Sequence, residues 1–350
     1  MRRRWPVAAR GVLLLAILGC WSAPLQAATT FGNGSLAGRW AVEVGPAVSF
    51  ATTAPSALSV PGLVDPGNVA GATRQHVARI GLINWDGSGG ADGRFIAVTD
   101  NNNGETVTID YTWSGTYTLN PDGTGTLNID VIDTASCTPN PPPEGACMDQ
   151  IDTETFALSM SKKYGTVALM QLNYAAGAKI LLTGEAIRQS RSATPYFFTT
   201  SSLTSRWQFQ FVPAMSFAAL APGDPGDVAG APRQNVMRVG YLEFNGVGAI
   251  APGTVIANTD DIFGDPISMQ FQWVGTYTLG SDGIGTLSVT PVVNALTACT
   301  PADLDCGTFQ SPETYRFVVS KSRQHLMLLQ TNNPRGAGAT IYQRGTAQKQ

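Results

Sequence analysis

Histidine is almost missing from this chain: its 350 residues include only His76 and His325. Imidazole is the commonest general acid–base and a frequent zinc ligand, so chemistry of those kinds has little to be built from. Charge is sparse as well. Asp, Glu, Lys and Arg make up 13% of the residues and the formal net charge is −3, which leaves no basic footprint for nucleic acid. Beyond the N-terminus no apolar run is long enough to anchor the chain in a membrane, and no helical periodicity persists beyond a turn or two. No Gly-x-Ser-x-Gly elbow stands between a strand and a helix, and no twelve-residue calcium ladder ends in Glu. What is there is short apolar–polar alternation between turns rich in Gly, Asp and Asn.

Residues 1–27 read as an export leader. Arg2, Arg3, Arg4 and Arg10 form a basic start, followed by the uncharged apolar run Val12 to Gly19, too short to span a bilayer. Leu25-Gln26-Ala27 offers cleavage after Ala27, which gives a periplasmic or extracellular product. Ile17-Leu18-Gly19-Cys20 resembles a bacterial lipobox, with Cys20 as the lipidation site of an envelope-anchored alternative. Losing the leader removes four arginines and no acids, so the net charge moves from −3 to about −7.

The rest of the chain says nearly the same thing twice. Asp65-Pro66-Gly67-Asn68-Val69-Ala70-Gly71-Ala72-Thr73-Arg74-Gln75 returns as Asp224-Pro225-Gly226-Asp227-Val228-Ala229-Gly230-Ala231-Pro232-Arg233-Gln234, and Trp113-Ser114-Gly115-Thr116-Tyr117-Thr118-Leu119 as Trp273-Val274-Gly275-Thr276-Tyr277-Thr278-Leu279. Two units follow, residues 35–190 and 202–350, joined by a linker at 191–201; each has the length of a domain with its own core. In the linker region Tyr196-Phe197-Phe198 is placed to cover the seam between the units.

Each unit reads as about eight strands. In the first these are 39–50, 77–84, 93–99, 106–119, 125–132, 153–160, 166–173 and 179–188. Val107, Ile109, Tyr111 and Trp113 alternate with polar residues and point to one buried face, as do Met269, Phe271 and Trp273 in the second copy. Asp86-Gly87, Asp122-Gly123, Asn245-Gly246 and Asp282-Gly283 supply hairpin turns. A sequential meander of eight strands can close and remove its edges, so the fold expected is all-β: two tandem antiparallel up-and-down eight-stranded barrels, with paired β-sandwiches as the alternative.

The stretch Gly115-Thr116-Tyr117-Thr118-Leu119-Asn120-Pro121-Asp122-Gly123-Thr124-Gly125-Thr126 resembles a signature of a broad group of uncharacterised secreted bacterial β-barrel proteins, a group with no settled activity to carry over. Leu36-Ala37-Gly38-Arg39-Trp40 is similar to the opening Gly-x-Trp of lipocalins. That resemblance implies that Trp40 closes one barrel end and packs near an arginine of a late strand, Arg188; the second copy has Ser205-Arg206-Trp207 and lacks the glycine.

Cys137 and Cys147 lie in a Pro-, Asn- and Gly-rich segment, Cys299 and Cys306 occupy the corresponding place in the second copy, and each pair reads as a disulfide stapling a long loop in an oxidising compartment. The duplication also tests candidate chemistry. His76 corresponds to Asn235 and His325 falls opposite Thr166, so neither would keep a catalytic role in both copies. Glu154 and Glu313 correspond, and read as the start of the sixth strand. Asp86, Ser88 and Asp92, like Asp260, Asp261 and Asp265, read as solvated turns. No catalyst, metal or cofactor is expected.

The strongest candidate site is the connection between the first two strands. It keeps Ser49 and Phe50 as Ser216 and Phe217, Arg74 and Gln75 as Arg233 and Gln234, and Arg79 as Arg238. Such a connection could lie as a lid over an interior pocket lined by Trp113 and Tyr117, or by Trp273 and Tyr277, and bind a small apolar or amphipathic ligand. The alternative is that it plugs a barrel already filled by aromatics, in a structural or protein-interaction module of the cell envelope. That alternative predicts packed interiors and an exposed apolar patch.

Overall fold

A computed structural model describes residues 30–45, 49–51, 74–75, 77–100, 106–138, 154–161, 165–172, 178–179, 182–191, 197–218, 234–260, 266–292, 312–320, 324–332, 339–340 and 343–350. In the first repeat the strands are β1 (Gly38–Gly45), β2 (Ser49–Ala51), β3 (Arg74–Gln75), β4 (Val77–Trp85), β5 (Gly90–Asp100), β6 (Thr106–Leu119), β7 (Thr124–Thr138), β8 (Glu154–Met160), β9 (Thr166–Gln171), β10 (Ala178–Lys179) and β11 (Thr183–Ser190). In the second they are β12 (Thr204–Ala218), β13 (Gln234–Asn245), β14 (Ala249–Asp260), β15 (Pro266–Leu279), β16 (Ile284–Val292), β17 (Glu313–Val319), β18 (His325–Gln330), β19 (Ala339–Thr340) and β20 (Arg344–Lys349).

Two tandem antiparallel barrels of lipocalin-like architecture result. The first closes in the order β1-β11-β9-β8-β7-β6-β5-β4, with β4 returning onto β1. The second runs β13-β14-β15-β16-β17-β18-β20-β12 and closes through β12 on β13. Closure satisfies the ladder groups that an open sheet would leave at its edges. The hairpin turns use the glycines as expected: Gly123 and Gly283 sit at φ of +90° and +87°, where a side chain would be strained.

Inward alternation supplies the cores. Phe95 stacks on Trp113 with ring centroids 5.3 Å apart, and Phe209 on Trp273 at the same separation. One end of each barrel is shut in the same way. A 3-10 turn (Asn33–Ser35, Thr200–Ser202) places Leu36 or Leu203 under the rim, and the amides of Phe31 and Phe198 donate to Pro121 O and Ser281 O, both at 3.1 Å. Phe198 therefore belongs to the second core rather than to the seam, while Phe197 is exposed and Tyr196 lies outside the described residues.

Strand ends differ from the sequence reading in two places. β1 stops at Gly45, and Ser49–Ala51 joins β3 and β10 in a small separate sheet. β7 continues beyond Ile132 to Thr138, so Cys137 is a ladder residue opposite Ile109 rather than part of a loop needing a staple. The expectation of two disulfides is corrected accordingly: no disulfide is found among the described residues, and Cys147, Cys299 and Cys306 lie outside them, as do the leader and Cys20.

Phe31–Gln350 form one compact unit. The outer faces of β4 and β5 (Ala78, Ile80, Leu82, Ile96, Val98), with Ala41, pack on Ile284, Val318, Met327 and Leu329 of the second barrel. Polar contacts frame this apolar seam. Arg94 donates to Asp110 at 2.7 and 2.6 Å and reaches Asp282 at 3.3 Å. Gln189 Nε2 donates to the Val319 carbonyl. Arg344 Nη1 donates to Glu43 Oε1 at 3.2 Å, yet burial holds the Glu43 carboxyl up at about 7 despite that arginine.

Because the folded-state value lies above the ordinary 4.5, this group's stabilising contribution is complete below about pH 4.5 and is lost as pH rises to about 7. Urea unfolding of the native chain should carry an extra downward slope of up to about 1.4 kcal/mol per pH unit in that window. Glu43→Gln should remove it, and parallel pH profiles for the two proteins would contradict the assignment.

Candidate functional site

The barrel end opposite the apolar plug holds a buried charge pair in each repeat. In the first barrel Arg79, near the start of β4, meets Glu154, the first residue of β8, through two hydrogen bonds: Nη1 to Oε2 at 2.5 Å and Nη2 to Oε1 at 2.7 Å. Burial opposes the guanidinium charge, but the Glu154 carboxylate outweighs it and holds the Arg79 pKa above its ordinary value. In the second barrel Arg238 pairs with Glu313, and Tyr315 bridges them: Arg238 Nη1 donates to its hydroxyl at 3.0 Å and the hydroxyl donates to Glu313 Oε2 at 2.5 Å. The Tyr315 hydroxyl also lies 3.3 Å from Gln343 Oε1, and burial pushes its pKa well above the usual 10.

At matching positions of the two repeats three side-chain atoms are buried without a hydrogen-bond partner among the described residues. They are Arg79 Nε, Trp113 Nε1 and Gln171 Oε1 in one barrel, and Arg238 Nε, Trp273 Nε1 and Gln330 Oε1 in the other. Two donors and one acceptor recur at equivalent positions, each a buried group able to take one further hydrogen bond. Among the described residues no three His, Cys, Asp or Glu side chains gather as a metal site, and no helix is long and apolar enough to cross a membrane.

The sequence-derived site residues divide between the two ends. Arg79 and Arg238 are in the charge pairs, with Arg238 5.3 Å from the Trp273 ring, while Trp113 is buried against Phe95. Tyr117 and Tyr277 are at the plugged end: Tyr117 donates to Asn33 O at 3.1 Å and Tyr277 to Leu203 O at 3.0 Å. The connection itself forms ladder pairs, Ser49 with Gln75 and Phe50 with Arg74, matched by Ser216 with Gln234, while Phe217 pairs with Thr340. Arg233 lies outside the described residues. The lipocalin-like expectation for Trp40 holds: Arg188 sits 4.6 Å over its ring, and Trp40 Nε1 donates to Leu36 O at 2.8 Å. In the second barrel Lys349 pairs opposite Trp207 in place of that arginine.

Two features escaped the sequence reading. One is the Arg79–Glu154 and Arg238–Glu313 pairing, although all four residues repeat in register. The other is an asymmetry of the outer faces. Ile80 and Ile96 are directly paired across β4 and β5 and are 0% and 1% exposed; their counterparts Val239 and Ile256, paired in the same way across β13 and β14, are 44% and 50% exposed. Met237 extends that patch along β13.

No family model matches this sequence, and no curated protein does. Among solved structures, a tryptophan-to-alanine mutant of the vaccine antigen Transferrin Binding Protein B from Haemophilus parasuis Hp5 aligns at 7% identity and a TM-score of 0.27, over 89% of this chain and 75% of that one. Intact Ap-TbpB, with N and C lobes, aligns at 7% identity and a TM-score of 0.24, over 89% and 77%. At those scores neither likeness carries an argument about this chain.

Removing one member of the charge pair strands the other in the barrel interior. Glu154→Gln should cost about 3–5 kcal/mol in urea unfolding, whereas the paired change Arg79→Met with Glu154→Leu should lie much closer to the native protein. Equal losses in both variants would mean that packing, not charge, dominates the site.

Proposed function

We propose that this chain is an exported, non-enzymatic tandem-barrel protein of the bacterial cell envelope, with filled barrels as rigid bodies whose outer faces dock other proteins. The leader at 1–27, repeats at 35–190 and 202–350 and linker at 191–201 belong to this reading. The observation that carries it is the pair Val239 and Ile256: the same cross-strand pair that is sealed in the first barrel by a neighbouring barrel is open in the second. The stacked aromatics on both barrel axes favour solid cores over broad cavities.

A photoreactive amino acid at Val239, in the protein made by its own cells, should give protein adducts that Ile256→Asp abolishes and that a probe at exposed Thr118 does not give. Equal yields at the two probe sites would overturn the docking reading.

A second reading rests on the recurring orphan atoms. Gln171 and Gln330, with the adjacent Trp and Arg nitrogens, are suited to the polar end of a small amphipathic ligand held at the charge-pair end of each barrel. Native mass spectrometry of the protein isolated from the envelope should then find up to two copies of one small molecule per chain, fewer after Gln330→Leu. Bare protein in every preparation would dismiss it.

A further inference from the structure

The contact between the two barrels joins unlike faces: the β4–β5 side of the first meets the side of the second that carries β17 and β18. Each barrel has both kinds of face, so each kind remains open once. The open copy of the first kind is the β13–β14 patch. The open copy of the second kind is the outer side of β8 and β9, where Ser159 pairs with Ala168 as Val318 pairs with Met327 in the second barrel. Met170 and Leu172 on that side are 47% and 48% exposed.

We propose that the chain associates head to tail with further copies of itself, the β13–β14 face of one copy seating on the β8–β9 face of the next and repeating the contact between its own barrels. The proposal rests on the docking reading above and names the occupant.

Three observations select a second copy. The first is size. Bulk that leaves one face is gained on the other: Ala78 and Leu82 become Met237 and Tyr241, while Val318 and Met327 become Ser159 and Ala168. Summed across the seam, a similar volume is available to fill it. The second is charge. Glu43 and Arg344 pair across the internal seam, and both counterparts are neutral, Gln210 beside Val239 and Thr183 at the start of β11, so neither open face would bury a lone member of that pair. The third is Asp122, the counterpart of Asp282. Thr254 replaces Arg94 on the open β13–β14 face, where Arg206 is already paired with Glu243 at 2.6 Å, and Asp122 is satisfied in its own turn by the Thr124 amide at 2.9 Å and hydroxyl at 2.7 Å. A contact between unlike faces closes as a ring of two or more copies when the rotation allows, and otherwise runs on as an open series.

The test is sedimentation velocity on the full exported chain, without its leader, over a wide concentration range. The weight-average mass should rise with concentration, to a closed ring or a continuing series. Ile256→Asp, with Val239→Asp as an independent variant of the same face, should weaken association by about tenfold or more, and so should Met170→Asp on the other face. All three sites are exposed, so unchanged melting temperatures identify folded variants. Mixed together, Ile256→Asp and Met170→Asp proteins each retain the face the other lacks, and should form capped dimers and nothing larger. A native chain that stays monomeric, an association that Ile256→Asp or Met170→Asp leaves unchanged, or a mixture that stays monomeric would each overturn the proposal. If that happens while the Val239 probe still gives specific adducts with a different protein, docking stands and only the second copy is lost; if the adducts vanish too, both readings fall.

Discussion

Closing eight strands on themselves commits one face of every strand to the interior and leaves the other free to vary, and everything distinctive in this protein follows from that division. Inside, the two repeats hold the same solution. Trp113 and Trp273, Tyr117 and Tyr277, and the Arg–Glu pairs keep identity and position because each is wedged against partners from several strands at once. Outside, equivalent residues have diverged from Ala78 and Leu82 to Met237 and Tyr241, and from Val318 and Met327 to Ser159 and Ala168. The fold constrains only the inner half of that list, so the outer half records what each barrel meets.

The charge pair is where the interior constraint is strictest. A guanidinium inside a barrel loses its water, and only a carboxylate held in a fixed geometry restores a comparable environment. The second barrel surrounds its pair with more hydrogen-bonding groups, placing Tyr315 and Gln343 where the first has Phe156 and Leu182. The hydroxyl is redistributed in the process: Tyr111, which faces Arg79 from β6 at 6.0 Å, has Phe271 as its counterpart. Both barrels still leave the same three polar atoms without partners among the described residues, so this is not a by-product of one local sequence.

Much of the fold was legible because its signals are local. Alternation at Ile109, Tyr111 and Trp113 gave an inward face, Asp-Gly turns gave the hairpins, and the repeat gave the number of barrels. The Trp40–Arg188 stack was legible from a short motif. What could not be read depends on contacts distant in sequence. Arg79 and Glu154 are 75 positions apart, and nothing local marks them as neighbours, although their joint recurrence as Arg238 and Glu313 was a usable clue. The end plug was also encoded, in Phe31, Ser35 and Leu36 returning as Phe198, Ser202 and Leu203, but flanking leader and linker residues masked it. Cys137 was misread because a polar run after Ile132 looks like a loop, whereas pairing with the long β6 keeps it in the ladder. Tyr117 was assigned to the wrong end for a related reason: alternation gives a residue's face, not its height along the barrel.

The inner and outer contacts also differ in what they can afford to bury. Two barrels on one chain meet at a high effective concentration, so their seam can include the Glu43–Arg344 pair even though burying that carboxyl is unfavourable enough to lift its pKa to about 7. A contact between separate molecules must also overcome lost translational and rotational freedom, and a partly desolvated ion pair would add to that cost. Replacing both of its members with Gln210 and Thr183, while keeping Val239, Ile256, Met170 and Leu172, leaves faces that offer apolar burial without that buried pair. The pattern of divergence between the two repeats is therefore the one expected if the internal seam is a tethered version of a weaker contact that lacks the Glu43–Arg344 pair.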